Sequence, residues 1–390
     1  MISSKIAQRL TLIKAYDSSG TQTIIKETYA RKAIDLLDQD LLTNPNTTYG
    51  DYQCGSGTLL IYLAERLMVS LVDAIPNETK RFKHIFQKQL FASDINPVQV
   101  LKCKANFKRI LNDKLFKVNV EQKDFNNIDE VTDVIISSIE FTTTNEFLKK
   151  FKPSCKNILI LTRPNKNKYT REKYIKEITK YRFLGITCDT PICAMYITSD
   201  QDDNVSFISD ETSIVINKPK FLPGNDLKSF KYALEIINLE LDTFKAHYGS
   251  YNKNAKVVVD NPGNVELIYQ VGGKVKEFRE TVGVSKDIIT AKEGVGRYKA
   301  VISKNGNLSK KSVVKYAGPK YGTGHNTIWL DTKSKAGFNK FIDYYDSKEI
   351  TQLVVSLKGT IKVNGVTFWS MIPHYDNYEK VKEIYAKHYS

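Results

Sequence analysis

Cysteine is scarce and scattered in this sequence. The chain holds five (Cys54, Cys103, Cys155, Cys188, Cys193), an odd number with no Cys-x-x-Cys pair, and they lie apart in sequence from the five histidines (His84, His247, His325, His374, His388). That pattern supports neither a disulfide framework nor a zinc site. His-x-x-x-His spacings and Asp/His clusters are also missing, so no protein-held metal centre is expected. No apolar run reaches the roughly 18 residues of a membrane span, and the opening Met-Ile-Ser-Ser-Lys has no apolar signal core. No membrane partner is expected, and the expected compartment is the cytoplasm. Acid is under-represented: 43 Asp and Glu stand against 58 Lys and Arg, a formal charge of +15. Such an excess favours a polyanionic partner such as nucleic acid, although a Lys-rich, Asn-rich chain from AT-rich coding would carry the same balance. Hydrophobic residues make up 41% of the 390 residues, enough for a core throughout, and the length favours two domains over one.

Ala30, Ala33, Ile34 and Leu37 recur at helical spacing, with Thr28 as the expected N-cap. A short strand around Thr47-Thr48-Tyr49 runs into the glycine turn Gly50-Asp51-Tyr52-Gln53-Cys54-Gly55-Ser56-Gly57. Leu59, Leu60, Leu63, Ala64, Leu67 and Met68 then mark one face of a helix. A second unit repeats the order: Phe91-Ala92-Ser93, then Asp94-Ile95-Asn96-Pro97, then a helix through Val100, Leu101, Ala105 and Ile110. Val134-Ile135-Ile136 and Ile158-Leu159-Ile160-Leu161 are unbroken apolar runs of strand length, the mark of a parallel sheet covered on both faces. The first 200 residues read as a doubly wound, Rossmann-like α/β domain.

The texture then changes. Short strands are expected at Ile192 to Tyr196, Val205 to Ile208 and Ser213 to Ile216, then a break at Pro219, Pro223 and Gly224. A long helix carrying Leu227, Phe230, Leu234, Ile237, Leu241 and Phe244 should follow. The boundary falls near 216 to 225, giving domains 1–216 and 217–390. The second should be mixed α/β, with strand-like runs at Val257 to Val259, Lys299 to Ile302, Thr327 to Leu330 and Leu353 to Leu357.

Gly55 and Gly57 follow a strand and precede a helix, where they allow backbone conformations and close ligand approach that a Cβ would block. Asp94, at the end of the next strand, is placed to receive both ribose hydroxyls of an adenosine ligand; it could equally cap the helix that begins near Asn96 and Pro97. The turn is neither a P-loop nor Gly-x-Gly-x-x-Gly, so nucleoside triphosphates and nicotinamide dinucleotides are disfavoured. Ser56 does not sit in a Gly-x-Ser-x-Gly elbow, which argues against a hydrolase nucleophile.

Asp51-Tyr52-Gln53-Cys54-Gly55-Ser56-Gly57-Thr58 resembles the Asp-Pro-x-Cys-Gly-Ser-Gly-Thr motif of adenine-specific DNA methyltransferases of restriction-modification systems. Asp94-Ile95-Asn96-Pro97 is similar to their second motif, Asp124-Phe125 to the acid and aromatic at the cofactor's adenine, and Thr28-Tyr29 to their N-terminal Thr-Pro segment. The motif order resembles the gamma class, with a target-recognition domain last; Tyr298 to Asp376 is loosely similar to that domain. The resemblance implies S-adenosyl-L-methionine as cofactor and double-stranded DNA as partner. By the family pattern, Asp51 receives the methionine amino group and Thr28 touches that same end. Cys54, Gly55 and Gly57 pack on the cofactor and Asp94 holds its ribose. Ile95 and Phe125 sandwich the adenine, with Asp124 beside it.

The departure lies after the fourth strand. Family members carry Asn/Asp/Ser-Pro-Pro-Tyr/Phe there, gripping the target amine and stacking a flipped base. Here the residues are Ser138-Ile139-Glu140-Phe141. Phe141 keeps the ring and Ser138 replaces the polar residue, but both prolines are missing, and Tyr52 and Tyr29 replace prolines elsewhere. Three readings follow: Glu140 as base or amine acceptor in an active transferase; a silent DNA-binding or regulatory subunit; or another reaction on a base or nucleotide. A partner subunit could also supply what the motif lacks.

Lys304, Lys310, Lys311, Lys315 and Lys320 interleave with Tyr298, Tyr316, Tyr321, His325 and Trp329. Lysines there would attract phosphates, and rings at loop tips would stack on or touch bases, with Arg297 as a candidate for a bidentate guanine contact. An ordinary solvated lysine-rich surface is the competing reading.

Overall fold

The computed structural model describes residues 27–111, 117–139, 144–162, 178–187, 190–198, 204–210, 212–217, 227–248, 265–270, 280–284, 296–303, 314–323, 327–358, 366–369 and 371–390. The chain divides into two compact units, Met1–Leu222 and Pro223–Ser390.

The first unit is built on one nine-stranded sheet, ordered β3-β2-β1-β4-β5-β7-β6-β8-β9. Its strands are β1 (Tyr49–Asp51), β2 (Leu90–Asp94), β3 (Asn119–Gln122), β4 (Val134–Ser138), β5 (Asn157–Thr162), β6 (Ile178–Thr187), β7 (Thr190–Thr198), β8 (Asn204–Ile208) and β9 (Ser213–Asn217). The first five pair in parallel, and β7 runs antiparallel between β5 and β6. This is the expected Rossmann-like α/β fold. The chain extends from β1 through β2 to β3 on one side, then crosses to β4 and β5 on the other. That reversal makes β1 a topological switch point, with a crevice beyond the strand ends where ligands of open α/β sheets bind.

Helices α1 (Glu27–Ile34), α2 (Gln39–Thr43), α3 (Thr58–Ser70), α4 (Glu78–His84), α5 (Pro97–Leu111) and α6 (Thr144–Phe151) accompany the sheet. Ala30, Leu60, Leu63, Cys103 and Phe107 share one core cluster with Tyr49, Leu90, Ala92, Val134, Ile136, Leu159 and Leu161. Alternate strand residues such as Ile135, Ser137, Ile158 and Ile160 point the other way and are also buried, so both faces are covered. Thr28 lies inside α1, which begins at Glu27, and is not its N-cap. Among the described residues no helix is long and apolar enough to cross a membrane.

The second unit is mixed α/β. It contains a four-stranded antiparallel sheet, β10 (Ala246–Tyr248), β16 (Thr327–Asp331), β13 (Lys299–Ser303) and β14 (Val314–Ala317), in that order. A three-stranded sheet joins β12 (Glu280–Val284), β11 (Val265–Gln270) and β15 (Tyr321–Thr323). Its helices are α7 (Leu227–Asn238), α8 (Lys335–Tyr345), α9 (Lys348–Lys358), α10 (Val366–Trp369) and α11 (Tyr378–Tyr389).

Two sequence expectations are corrected here. The apolar run Leu353 to Leu357 is helical, because Ile350, Leu353, Val354 and Leu357 recur every three or four residues and bury one face of α9. The helix expected to reach Phe244 stops at Asn238, and Glu240 turns the chain at φ +50°. Phe244 is thereby released to pack edge-on against Phe341, 5.2 Å away, and beside His374 at 4.9 Å. The expected strand at 257–259 lies outside the described residues.

Candidate active site

Three groups meet at the ends of β1, β2 and β4. Asp51 ends β1 and is 2% exposed. One of its oxygens accepts from Ser137 Oγ at 2.8 Å and from the Gln53 amide at 3.2 Å. Burial pushes its pKa up to about 7, the Ser137 and Gln53 hydrogen bonds oppose that rise, and the charge of Asp94 adds to it.

Asp94 ends β2 and ties the glycine turn to the sheet. Its Oδ2 accepts from the Gly55 amide at 2.9 Å, its Oδ1 from the Asn96 amide at 2.8 Å, and its carbonyl from the Lys123 amide at 3.1 Å. The Cys54 amide donates to the Ser93 carbonyl at 3.0 Å. Asp94 is thus both a local turn-former and a carboxylate whose remaining lone pairs can receive further donors. Ile95 beside it is 65% exposed.

The two glycines are required for different reasons. Both adopt left-handed backbone, Gly55 at φ +52° and Gly57 at φ +82°. A Cβ on Gly55 would meet nothing within 4 Å, whereas one on Gly57 would lie 2.6 Å from Cys103 Sγ and 3.1 Å from Phe107 Cε1. Gly57 therefore sets how closely the turn and the start of α3 approach α5. The Cys54 thiol is held by a hydrogen bond with Cys103 and by burial, both raising its pKa, so it is an inert packing group and not a nucleophile.

Tyr52, where the motif it resembles has proline, is absorbed by its neighbours. Its ring folds back over Gly50, whose Cβ would lie 2.7 Å from the phenol carbon. Its hydroxyl donates to Thr132 Oγ1 at 3.2 Å and accepts from the Thr132 amide at 3.0 Å. The ring stacks on Phe151 at 5.0 Å; Phe151 meets Phe147 at 4.6 Å, and Phe147 meets Phe125 at 5.5 Å. Phe125 is half-buried at the end of this aromatic file, and Asp124 caps its short turn by accepting from the Asn126 amide at 2.8 Å.

Sequence reasoning chose Ser138 and missed Ser137. The structure joins Ser137, fully buried, to Asp51, and leaves Ser138 half-buried at the strand end. Strand alternation held the signal: neighbouring serines must face opposite sides, so only one could meet Asp51. Thr28 is exposed in the first turn of α1. Glu140 and Phe141 lie outside the described residues, as do Lys304, Lys310, Lys311 and His325.

In the second unit, Arg297 is 61% exposed and donates to Asp331 Oδ2 at 2.6 Å. Lys315 lies on β14, and Lys320 sits 5.0 Å over the Tyr321 ring. One ring expected at a loop tip is elsewhere: Tyr316 is in β14, packed on Phe338; Trp329 is 2% exposed in β16, within the strand expected at Thr327 to Leu330. No cluster of His, Cys, Asp and Glu able to hold a metal occurs among the described residues.

No family model matches the chain, and no curated protein matches it. Solved structures with similar shapes include the type I restriction-modification methyltransferase subunit of Streptococcus thermophilus, at 12% identity and TM-score 0.34 over 47% of each chain. The EcoKI M protein matches at 10% identity and TM-score 0.37 over 50% of each chain. The type ISP restriction-modification enzyme LlaBIII, solved bound to DNA, matches at 10% identity and TM-score 0.49, covering 99% of this chain and 42% of that one. The chain thus spans about half the length of these three structures, or less.

Proposed function

We propose that this chain is an S-adenosylmethionine-dependent DNA methyltransferase that moves a methyl group to the exocyclic amine of an adenine flipped out of duplex DNA. In this reading residues 1–216 form the cofactor-binding and catalytic domain and residues 217–390 the target-recognition domain. One observation carries it: at the switch point, the Asp94 carboxylate is fixed by the Gly55 and Asn96 amides beside the buried Asp51–Ser137 pair.

The residues present fit the cofactor. Asp94 keeps lone pairs for two ribose hydroxyls, Gly55 leaves open space on the side a Cβ would occupy, and Asp51 is a buried acid suited to an ammonium. Exposed Ile95 and half-buried Phe125 supply the apolar walls that an adenine ring needs. When bound, S-adenosylmethionine supplies an electrophilic methyl carbon whose bond electrons leave with sulfur. The chain's own work is alignment: Ser138 and Glu140 hold the amine and receive its proton, while Phe141 stacks on the flipped base. The assignments of Glu140, Phe141 and Thr28 rest on the motif resemblance.

Calorimetric titration with S-adenosylmethionine, with and without duplex DNA, tests the reading, with Asp94→Ala as control. Expected is binding that the substitution abolishes, followed by methyl incorporation into DNA that Glu140→Ala and Phe141→Ala each remove. Absence of binding under both conditions would overturn the enzyme reading. Binding without incorporation would leave a silent DNA-binding subunit.

A further inference from the structure

The cations singled out by sequence lie between Arg297 and Lys320, but the ladder of the four-stranded sheet gathers a different group. Ala246 pairs with Leu330 and His247 with Trp329, so Lys245 is next in line opposite Asp331 at the end of β16. On the other side of β16, Lys299 of β13 is the partner of Asp331. Strand alternation puts His247 on the same face as Trp329, Asp331 and Lys299, and exposed Lys245 immediately precedes β10. Arg297 reaches into the same corner through its 2.6 Å bond to Asp331. The corner therefore gathers Lys245, Lys299 and Arg297 near the end of β16, with Arg297 ion-paired to Asp331.

The corner is built from within. Lys299 is fully buried, and its Nζ donates to the Arg297 carbonyl at 2.7 Å and the Gly318 carbonyl at 3.2 Å, which pins the backbone that carries Arg297. The His247 ring stacks on Trp329, centroids 4.2 Å apart and planes 18° from parallel, and is itself exposed. Desolvation first, and the charge of Arg297 next, hold its imidazole below the ordinary pKa, while Asp331 pulls it up and Lys245 pulls it down. Lys245 is exposed, and Arg297 is 61% exposed. The surface thus presents a guanidinium, an ammonium and a stacked imidazole over a single, already shared acid.

We propose that this corner, Lys245, His247 and Arg297 around Asp331, is a contact for the DNA phosphate backbone. The proposal rests on the DNA-methyltransferase reading and adds to it a sequence-independent anchor. Excess positive charge is what a phosphate neutralises, and a guanidinium held by one carboxylate can exchange it for a phosphate oxygen without moving its backbone. A protein surface patch of opposite charge is the weaker alternative, because the whole chain carries +15 and, among the described residues named here, the exposed ones are polar: Lys245, His247 and Arg297 are exposed and Trp329 is covered.

The test is binding of the full chain to duplex DNA of several sequences, measured against salt concentration. Lys245→Ala and Arg297→Ala should each weaken binding on every sequence and reduce the slope of log affinity against log salt by about 0.9. Asp331→Asn, which removes the competing carboxylate charge and keeps the oxygen that caps the Lys333 amide, should tighten binding and steepen the slope. A folding defect would not produce that gain. Lys382→Ala, on α11 and paired with Glu379, is the control and should change neither. Wild-type binding whose slope is unmoved by Lys245→Ala and Arg297→Ala would overturn the inference alone. Absence of wild-type binding at low salt would overturn the DNA reading and the inference with it.

Discussion

The two charged regions of this molecule are made in opposite ways. At the β1–β2–β4 end of the first unit, Asp51 is 2% exposed and Asp94 is bound by two backbone amides, so the acids are held before any ligand arrives. At the β10–β16–β13 corner of the second unit the cations stand in solvent, steered by one shared acid and a buried lysine beneath. Burial makes Asp51 costly to ionise, and the two amides on Asp94 fix its carboxylate for a donor at set distance. Exposure makes each cation cheap to hold and sensitive to ionic strength, which suits a long polyanion read only by its backbone. A small ligand and a polymer call for these different treatments.

The comparison is broken most sharply by pH. The Asp51 pKa lies at about 7 against an ordinary 3.8, so the folded form holds its proton more tightly than the unfolded chain. Its contribution to stability is therefore complete below about pH 4 and lost as pH rises through 7, at about 1.4 kcal/mol per unit. Urea unfolding of wild type should lose about 2 kcal/mol between pH 5 and 7 relative to Asp51→Asn, which has no proton to lose. Ligand binding should run the other way. An ammonium-bearing cofactor needs the ionised acid, so its affinity should rise about tenfold per pH unit up to 7. Methylthioadenosine, which lacks the amino acid end, should show no such rise. A flat profile for both ligands would remove Asp51 from the site.

The next effect separates the glycines. Gly57→Ala combines left-handed strain with a 2.6 Å collision against Cys103 and should cost about 3 kcal/mol of stability. Gly55→Ala meets open space and should cost about 1 kcal/mol, with any larger loss appearing in cofactor affinity. Equal losses in stability would show that the turn does not pack on α5 as described. Tyr52→Phe should cost about 1 to 2 kcal/mol, because it strips the partner of the buried Thr132 amide while keeping the ring on Phe151.

How much of this was legible in the sequence follows from the same contrast. The glycine turn, Asp94 and the order of strands and helices were readable, because each depends on residues close together in the chain. Asp51 with Ser137 was half readable: both residues stand at strand ends, but choosing between Ser137 and Ser138 required the strand's phase. Tyr52 looked like a defect in a proline position, and only the fold shows Gly50 and Thr132 making room for it. Helix α9 was misread because adjacent valines imitate a strand, although the spacing from Ile350 to Leu357 was helical. The corner in the second unit was illegible. Residues 245, 297, 299 and 331 become neighbours only through the pairing register of β10, β16 and β13, which no local pattern encodes.

The smallest expected effect bears on that corner. Arg297 and Asp331 form an ion pair with side chains 61% and 26% exposed, so the pair gains little over two hydrated charges. Arg297→Ala should change the unfolding free energy by less than about 1 kcal/mol, while the buried Lys299, whose amine satisfies two carbonyls, should tolerate no such removal. Chemical denaturation of the two alanine variants side by side measures the difference. A loss of several kcal/mol from Arg297→Ala would mean that the guanidinium is part of the unit's framework and not a surface group available for exchange. The contrast between a buried, prearranged acid site and an open cationic one would then fail at its second term.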